Sequence, residues 1–232
     1  MQQYLIIGGS GGIGQEIARQ LAAAGNQVIA TYNKNKPAHE TPHIQYHHLD
    51  VLAENNVLDF IPATINGFVY CPGSINLRPF ERIKVSDFEA DYKLQVTGAI
   101  KLLQMVLPRL KQSTNASVVL FSTVAVQNGL PFHSQVAASK GAIEGLTRAL
   151  AAEYAPNIRV NCIAPSLTDT PLAASLLNNE QKREANALRH PLKRVGTTAD
   201  IANMTAFLLS EKASWISGQV LHVDGGMSSL KS

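Results

Sequence analysis

Cysteine is scarce: Cys71 and Cys162 are the two cysteines in 232 residues, and no CxxC spacing joins them. The scarcity excludes a disulfide scaffold and a thiolate metal centre, and leaves buried free thiols as the expectation. Charge is also thin, at 16% of residues, with a net +3 spread without long runs. So mild and dispersed a balance does not argue for nucleic acid as a partner. No apolar stretch approaches membrane-spanning length, and no basic region with a cleavage site precedes the first apolar run. A cytoplasmic protein with no membrane partner is therefore expected. Internal repeats and low-complexity segments are missing too. What remains is a 45% hydrophobic chain long enough to bury one sizeable core, so a single domain over residues 1–232 is expected.

The most informative stretch is Gln3-Tyr4-Leu5-Ile6-Ile7-Gly8-Gly9-Ser10-Gly11-Gly12-Ile13-Gly14. Its apolar run predicts a buried strand, and its glycines predict the turn that follows. Two dinucleotide spacings overlap in it, Gly9-x-Gly11-x-x-Gly14 and Gly8-x-x-x-Gly12-x-Gly14. Glycine lets backbone N–H groups approach a pyrophosphate closely, and a helix starting near Gly12 turns its positive end toward the phosphates. The apolar spacing from Gln15 to Ala24 supports that helix, and Gly25 is its C-terminal stop. Gly8, Ser10, Gly12, Ile13 and Gly14 are therefore candidate cofactor-binding residues.

A second strand is expected over Gln27–Tyr32, leaving into a loop that carries Asn33, Lys34 and Lys36. A site that prefers NAD places an acidic residue about twenty residues past the glycines to bond the ribose 2′-OH. No Asp or Glu lies between Thr31 and Ala38, whereas two lysines do, so the loop leans toward NADP over NAD. The next segment holds His39, His43, His47 and His48. Its alternation from Ile44 to Leu49 reads as a third strand that sends neighbours to opposite faces, and nothing completes a ligand set, so no metal site is expected. Asp50 and its neighbour Val51, at the end of that strand, are placed to meet an adenine ring.

Further strands are expected over Gly67–Cys71, ended by Pro72-Gly73, over Ala116–Ser122, over Ile158–Ile163 and over Gln219–Val223. Helical spacing predicts one long helix from Ser86 to Leu110 and another from His133 to Tyr154. Thr197-x-x-Asp200 has the form of a capping box opening a helix that runs to Leu209. Strand and helix alternate from end to end. That ordering predicts an α/β fold, a single-domain doubly wound parallel sheet of about seven strands, with ligands at the carboxyl ends of the strands.

The glycine stretch, Asp50, Ser139-Lys140 in a helix, Arg159-Val160-Asn161-Cys162-Ile163-Ala164-Pro165, Thr170-Pro171, and the ending Ser217-Gly218-Gln219-Val220-Leu221-His222-Val223-Asp224-Gly225-Gly226 follow one another in a set order. Together they resemble the short-chain dehydrogenase/reductase family. The resemblance covers essentially the whole chain. It implies an NAD(P)-binding Rossmann-type subunit, assembled as a homotetramer or homodimer through its two long helices and last strand. Cofactor contacts are then implied at Gly73, Lys140, Pro165, Ser166, Thr168 and Thr170, and a substrate lid within residues 167–190.

The same resemblance implies a catalytic set of Asn, Ser, Tyr and Lys. Lys140 matches, and would bond the nicotinamide ribose. Four residues before it, where the family has tyrosine, stands Val136. The serine position is Thr123, which keeps a hydroxyl, and the asparagine position is Gln95. The family's Asn-Asn-Ala-Gly is Tyr70-Cys71-Pro72-Gly73, and its Pro-Gly is Pro165-Ser166. Hydride reduction of a ketone leaves an alkoxide that must be protonated, and valine has no proton to give. His133, one helical turn before Val136, is the first candidate replacement and Tyr70 the second. Two readings stay open: an NADP(H)-dependent oxidoreductase for a small-molecule carbonyl or alcohol with an altered proton donor, or a cofactor-binding sensor, scaffold or inactive partner subunit. Leu172, Leu176 and Leu177 suggest an apolar inner face for the lid, flanked by Lys182, Arg183, Arg189, Lys193 and Arg194.

Overall fold

The apolar runs become strands buried on both faces, which is why they read as continuous Val, Ile and Leu instead of alternating with polar residues. The computed structural model describes residues 1–37 and 41–231, so His39 lies outside the described residues. Among these, the strands are β1 (Gln3–Ile7), β2 (Gln27–Tyr32), β3 (Ile44–His48), β4 (Gly67–Tyr70), β5 (Ala116–Phe121), β6 (Ile158–Pro165) and β7 (Val220–Val223). They pair in parallel in the order β3-β2-β1-β4-β5-β6-β7. The helices are α1 (Gly12–Ala23), α2 (Val85–Tyr92), α3 (Gly98–Leu110), α4 (Val124–Asn128), α5 (Ser134–Tyr154), α6 (Glu180–Leu188) and α7 (Thr198–Leu209).

The period of two along each strand divides the interior into two cores. Leu5 and Ile7 of β1 join Phe68, Val118 and Leu120 against Leu102 and Val106 of α3 and Ile143 of α5. Tyr4 and Ile6 join Val69 and Val119 against Ile17 and Leu21 of α1 and Ile201 and Leu208 of α7. The sheet is therefore wound on both faces, and its order reverses between β1 and β4, which opens a crevice at their carboxyl ends.

The helix expected from Ser86 to Leu110 forms without interruption, as α2 and α3 joined through a π-helical turn over Lys93–Thr97. The physical reason for that turn sits on β4, where the Tyr70 hydroxyl donates to the Leu94 carbonyl at 2.5 Å inside the widened turn. Glycine at 98 makes room for it, since a Cβ there would lie 2.7 Å from the Tyr70 oxygen. The helix expected from His133 begins one residue later, with His133 as its N-cap. The capping box forms as expected: Thr197 Oγ1 accepts from the Asp200 N–H, and Asp200 Oδ2 accepts from the Thr197 N–H at 2.7 Å. Arg159 donates to the carbonyls of Leu208, Ser210 and Ala213, and Asn161 bonds Ile216 and Gln219. These two motif residues of β6 thus hold the end of α7 and the entry to β7.

Candidate active site

At the crevice the glycine loop meets the turn after β4. Gly8 has φ of +75°, and a Cβ on it would lie 3.2 Å from the Pro72 ring. Its N–H donates to Thr31 Oγ1 at 3.0 Å. A Cβ at Gly14 would stand 2.3 Å from the Gly8 carbonyl oxygen, so α1 closes onto the loop only because position 14 is bare. Gly11 faces open space, and α1 has neither a side-chain cap nor an acidic residue in its first turn. The positive end of α1 is thus left for an outside anion, and the cradle fits a pyrophosphate.

Beside the loop lies a cavity of about 290 Å³. The four expected catalytic residues Gln95, Thr123, His133 and Lys140 all line it, with Val136 among them. Ile13, Gly73, Pro165, Ser166, Thr168 and Thr170 line it as well. Gly8, Ser10, Gly12 and Gly14 belong to the adjoining loop, where a Cβ on Gly12 would come within 3.6 Å of Thr170. Asn33 and Lys34 are exposed beyond β2, outside the cavity. Asp50 and buried Val51 also stand apart from it, and Asp50 Oδ1 accepts from the Leu52 N–H at 2.9 Å.

Each lining group has a defined setting. Thr123 is the N-cap of α4, accepting from the Ala125 N–H at 3.3 Å. His133 Nδ1 lies 2.6 Å from the Pro131 carbonyl, which can only accept, so that nitrogen carries the hydrogen. Burial pulls the Lys140 ammonium down to about 8, with Cys162, Asp91 and Cys71 opposing. Burial pushes the thiols of Cys71 and Cys162, both free, up to about 12, against the pull of Lys140. Tyr70 is not on the cavity: it is buried against the α3–α5 core, tied to Leu94, and burial raises its phenol well above the ordinary value. It is thereby removed as a proton donor.

The sequence reading missed Asp91. This buried carboxylate accepts from Gln95 Nε2 at 2.7 and 2.8 Å, from Ser139 Oγ at 2.6 Å and from Ser74 Oγ. Three donors from three segments hold it, and through it they hold Gln95 and the turn of α5 that carries Lys140. Gln95 Oε1 is buried with no partner among the described residues. The one signal available was the i, i+4 spacing of Asp91 and Gln95. Within residues 167–190, a short turn of helix over Pro171–Leu176 and α6 form the cavity's outer wall, Leu172 and Leu176 lining it while Leu177 is buried. Arg183 pairs with Asp169 and Arg194 with Asp200, which leaves Arg189 as the basic residue of this flank on the cavity.

A parallel sheet wound on both faces, with a glycine cradle at its switch point and a lysine-bearing helix alongside, defines a Rossmann-type nucleotide-binding fold. A family model described as enoyl-(acyl carrier protein) reductase matches residues 8–228. The chain is 30% identical to the 3-oxoacyl-[acyl-carrier-protein] reductase FabG of Aquifex aeolicus over 96% of both chains. It is 37% identical to the FabG of Thermotoga maritima over 63% of this chain and 59% of that protein. Among solved structures, the ligand-free aldohexose dehydrogenase of Thermoplasma acidophilum superposes with a TM-score of 0.91 at 27% identity, covering 100% of this chain and 96% of that one. A short-chain type dehydrogenase/reductase from Mycobacterium ulcerans does so at 0.89 and 29%, covering 98% of this chain and 90% of that one. The chain belongs to the short-chain dehydrogenase/reductase family.

Proposed function

We propose that this protein is an NADP(H)-dependent oxidoreductase acting on a small carbonyl compound or alcohol with an altered catalytic set, working as a cytoplasmic homodimer or homotetramer. The observation that carries the reading is a single cavity in which Thr123, Gln95, His133 and Lys140 surround Val136 beside the glycine cradle. Gly8 to Gly14 and the N-terminus of α1 would hold the pyrophosphate, Asp50 and Val51 the adenine side, and Gly73, Lys140, Pro165, Ser166, Thr168 and Thr170 the nicotinamide half. Asn33 and Lys34, exposed at the end of β2 in a sequence with no Asp or Glu between Thr31 and Ala38, favour a 2′-phosphate. When bound, the nicotinamide supplies or accepts a hydride. The chain's own part is to hold the substrate oxygen near the Thr123 hydroxyl and to move a proton that Val136 cannot move. Two histidines line the cavity, His133 and His190, and which of the cavity's groups moves that proton is left open by this reading.

Ile75, Leu77, Leu172 and Leu176 give the cavity an apolar lining, which suits a substrate whose carbonyl is borne on a short hydrocarbon. A fluorescence titration with NADPH and NADH, followed by turnover on a carbonyl panel that includes short 3-oxoacyl thioesters, tests the reading. NADPH binding about tenfold or more tighter than NADH, with oxidation in the presence of a panel member, is the expected result. Tighter NADH binding overturns the cofactor assignment. Silence across the panel favours a second reading, that of a non-catalytic cofactor-binding subunit, for which Val136 in the cavity wall is the specific observation.

A further inference from the structure

The position after Pro165 carries a hydroxyl where the family pattern has a bare glycine, and that hydroxyl has a partner. Ser166 Oγ lies 2.7 Å from His190 Nε2. The other ring nitrogen, Nδ1, lies 2.8 Å from the Asn186 carbonyl in the last turn of α6. A carbonyl only accepts, so Nδ1 carries a hydrogen and Nε2 is left to face the serine. His190 is 3% exposed, and Ser166 and His190 both line the cavity that holds Lys140, Thr123 and Val136. They line a second cavity as well, of about 320 Å³, shared with Arg194, Asp200, His222 and Asp224. The pair is therefore common to the reaction cleft and to a separate polar space, where Arg194 and Asp200 are already bonded to each other.

We propose that Ser166 and His190 form the proton relay that replaces the missing tyrosine. The proposal rests on the oxidoreductase reading and names the group that reading leaves open. Both charge states of the ring are satisfied where it stands. With Nε2 unprotonated, the Ser166 hydroxyl donates to it. With Nε2 protonated, N–H donates to Oγ, and the serine's own hydrogen is released toward the cleft. Its other neighbour there, among the described residues, is Met227 Sδ at 3.1 Å, a weak acceptor that yields to a stronger one. When the carbonyl carbon takes a hydride, the electron pair goes to its oxygen. That oxygen takes the Ser166 hydrogen, Oγ takes the Nε2 hydrogen, and the C–O double bond ends as C–OH with His190 neutral. Alcohol oxidation runs the same path backward and leaves the proton on His190. Atoms and charge balance in both directions, with the nicotinamide hydride as the only co-reactant. His133 competes for the role, but its ring bonds only a carbonyl in its own loop, whereas His190 is buried and coupled to a hydroxyl on the cleft wall.

The test compares the full-length protein with Ser166→Ala, Ser166→Thr, His190→Gln and His133→Ala. Three readouts are taken: NADPH affinity by fluorescence, kcat in H2O and D2O with the best panel carbonyl, and the His190 ring nitrogens by long-range 1H–15N NMR without cofactor. Ser166→Ala and His190→Gln should lower kcat at saturating NADPH by about a hundredfold or more, with a changed solvent isotope effect. Ser166→Thr should recover most of the rate, and His133→Ala should cost less than either relay variant. In the cofactor-free NMR experiment, Ser166→Ala should shift Nε2 and leave Nδ1 in place. An unmoved Nε2, unchanged kcat in Ser166→Ala, or a larger loss in His133→Ala than in either relay variant each overturns the relay while leaving the oxidoreductase reading standing. Silence of the unaltered protein across the carbonyl panel overturns that reading, and the relay with it.

Discussion

Lys140 carries a testable consequence of standing desolvated in the cavity wall near Asp91. Burial draws its pKa down to about 8, whereas an unfolded lysine titrates near 10.4. Between those values the unfolded chain binds more protons than the folded one, so Lys140 makes the fold more stable as pH rises from about 8 to about 10.4; below 8 its cost is fully present. At pH 8 about half of Lys140 is the free amine, against under about 1% of an ordinary exposed lysine. Cyanate is small enough to enter the cavity, so mass spectrometry after brief treatment at pH 8 should find Lys140 carbamoylated ahead of exposed Lys34 and Lys36, and NADPH should protect it. Modification no faster than at Lys34 refutes the low value. Resemblance to the family's motifs picks out Lys140, Thr123 and Gln95, and the fold brings all three to the wall of one cavity. Asp91 and His190 could not be found that way. Their roles depend on Ser139, 48 residues from Asp91, and on Ser166, 24 residues from His190, and only the folded sheet brings those partners together.

The π-helical stretch between α2 and α3 is held by an element on the other side of the core. Tyr70 reaches from β4 to bond the Leu94 carbonyl, and the bare face of Gly98 admits its hydroxyl. Tyr70→Phe keeps the ring's packing and takes away the hydroxyl that donates to the part-buried Leu94 carbonyl, which costs about 1–3 kcal/mol. For a chain of this size each kcal/mol moves Tm by about 2–4 °C, so calorimetry should show a drop of several degrees. An unchanged Tm refutes the claim that Tyr70 holds the stretch. The sequence pattern from Ser86 to Leu110 could not reveal this widened turn, since one extra residue in a turn disturbs apolar spacing very little. The widening nevertheless matters to the site: Gln95 lies in the π stretch, and its side chain turns to Asp91 and the cavity. β1, β2, β4 and β5 are far easier to read, because burial on both faces makes them largely apolar runs bounded by glycine, proline or asparagine.

At the scale of the whole molecule the alternation of strands and helices was enough to give a doubly wound sheet, and the glycine cradle marked where its order reverses. What alternation leaves open is how the sheet ends. Its two edges differ. β3 shows exposed Gln45 and His48, polar residues that discourage pairing with another strand. Among the described residues β7 pairs only with β6, and Val220, Leu221 and Val223 are all half-exposed. Near its start Trp215 is 98% exposed, and Phe207 of α7 is 37% exposed. An apolar edge beside an uncovered tryptophan is an unstable surface for a lone subunit, and a second copy related by a two-fold axis would present the same apolar face to it. The net charge of +3 on each chain offers little resistance to that approach. Light scattering at micromolar concentration should therefore return about two or four times the 25.0 kDa of one chain. Trp215→Lys, which puts charge on this uncovered surface, should shift the protein toward single subunits. A wild-type mass of one chain under the same conditions overturns the assembly.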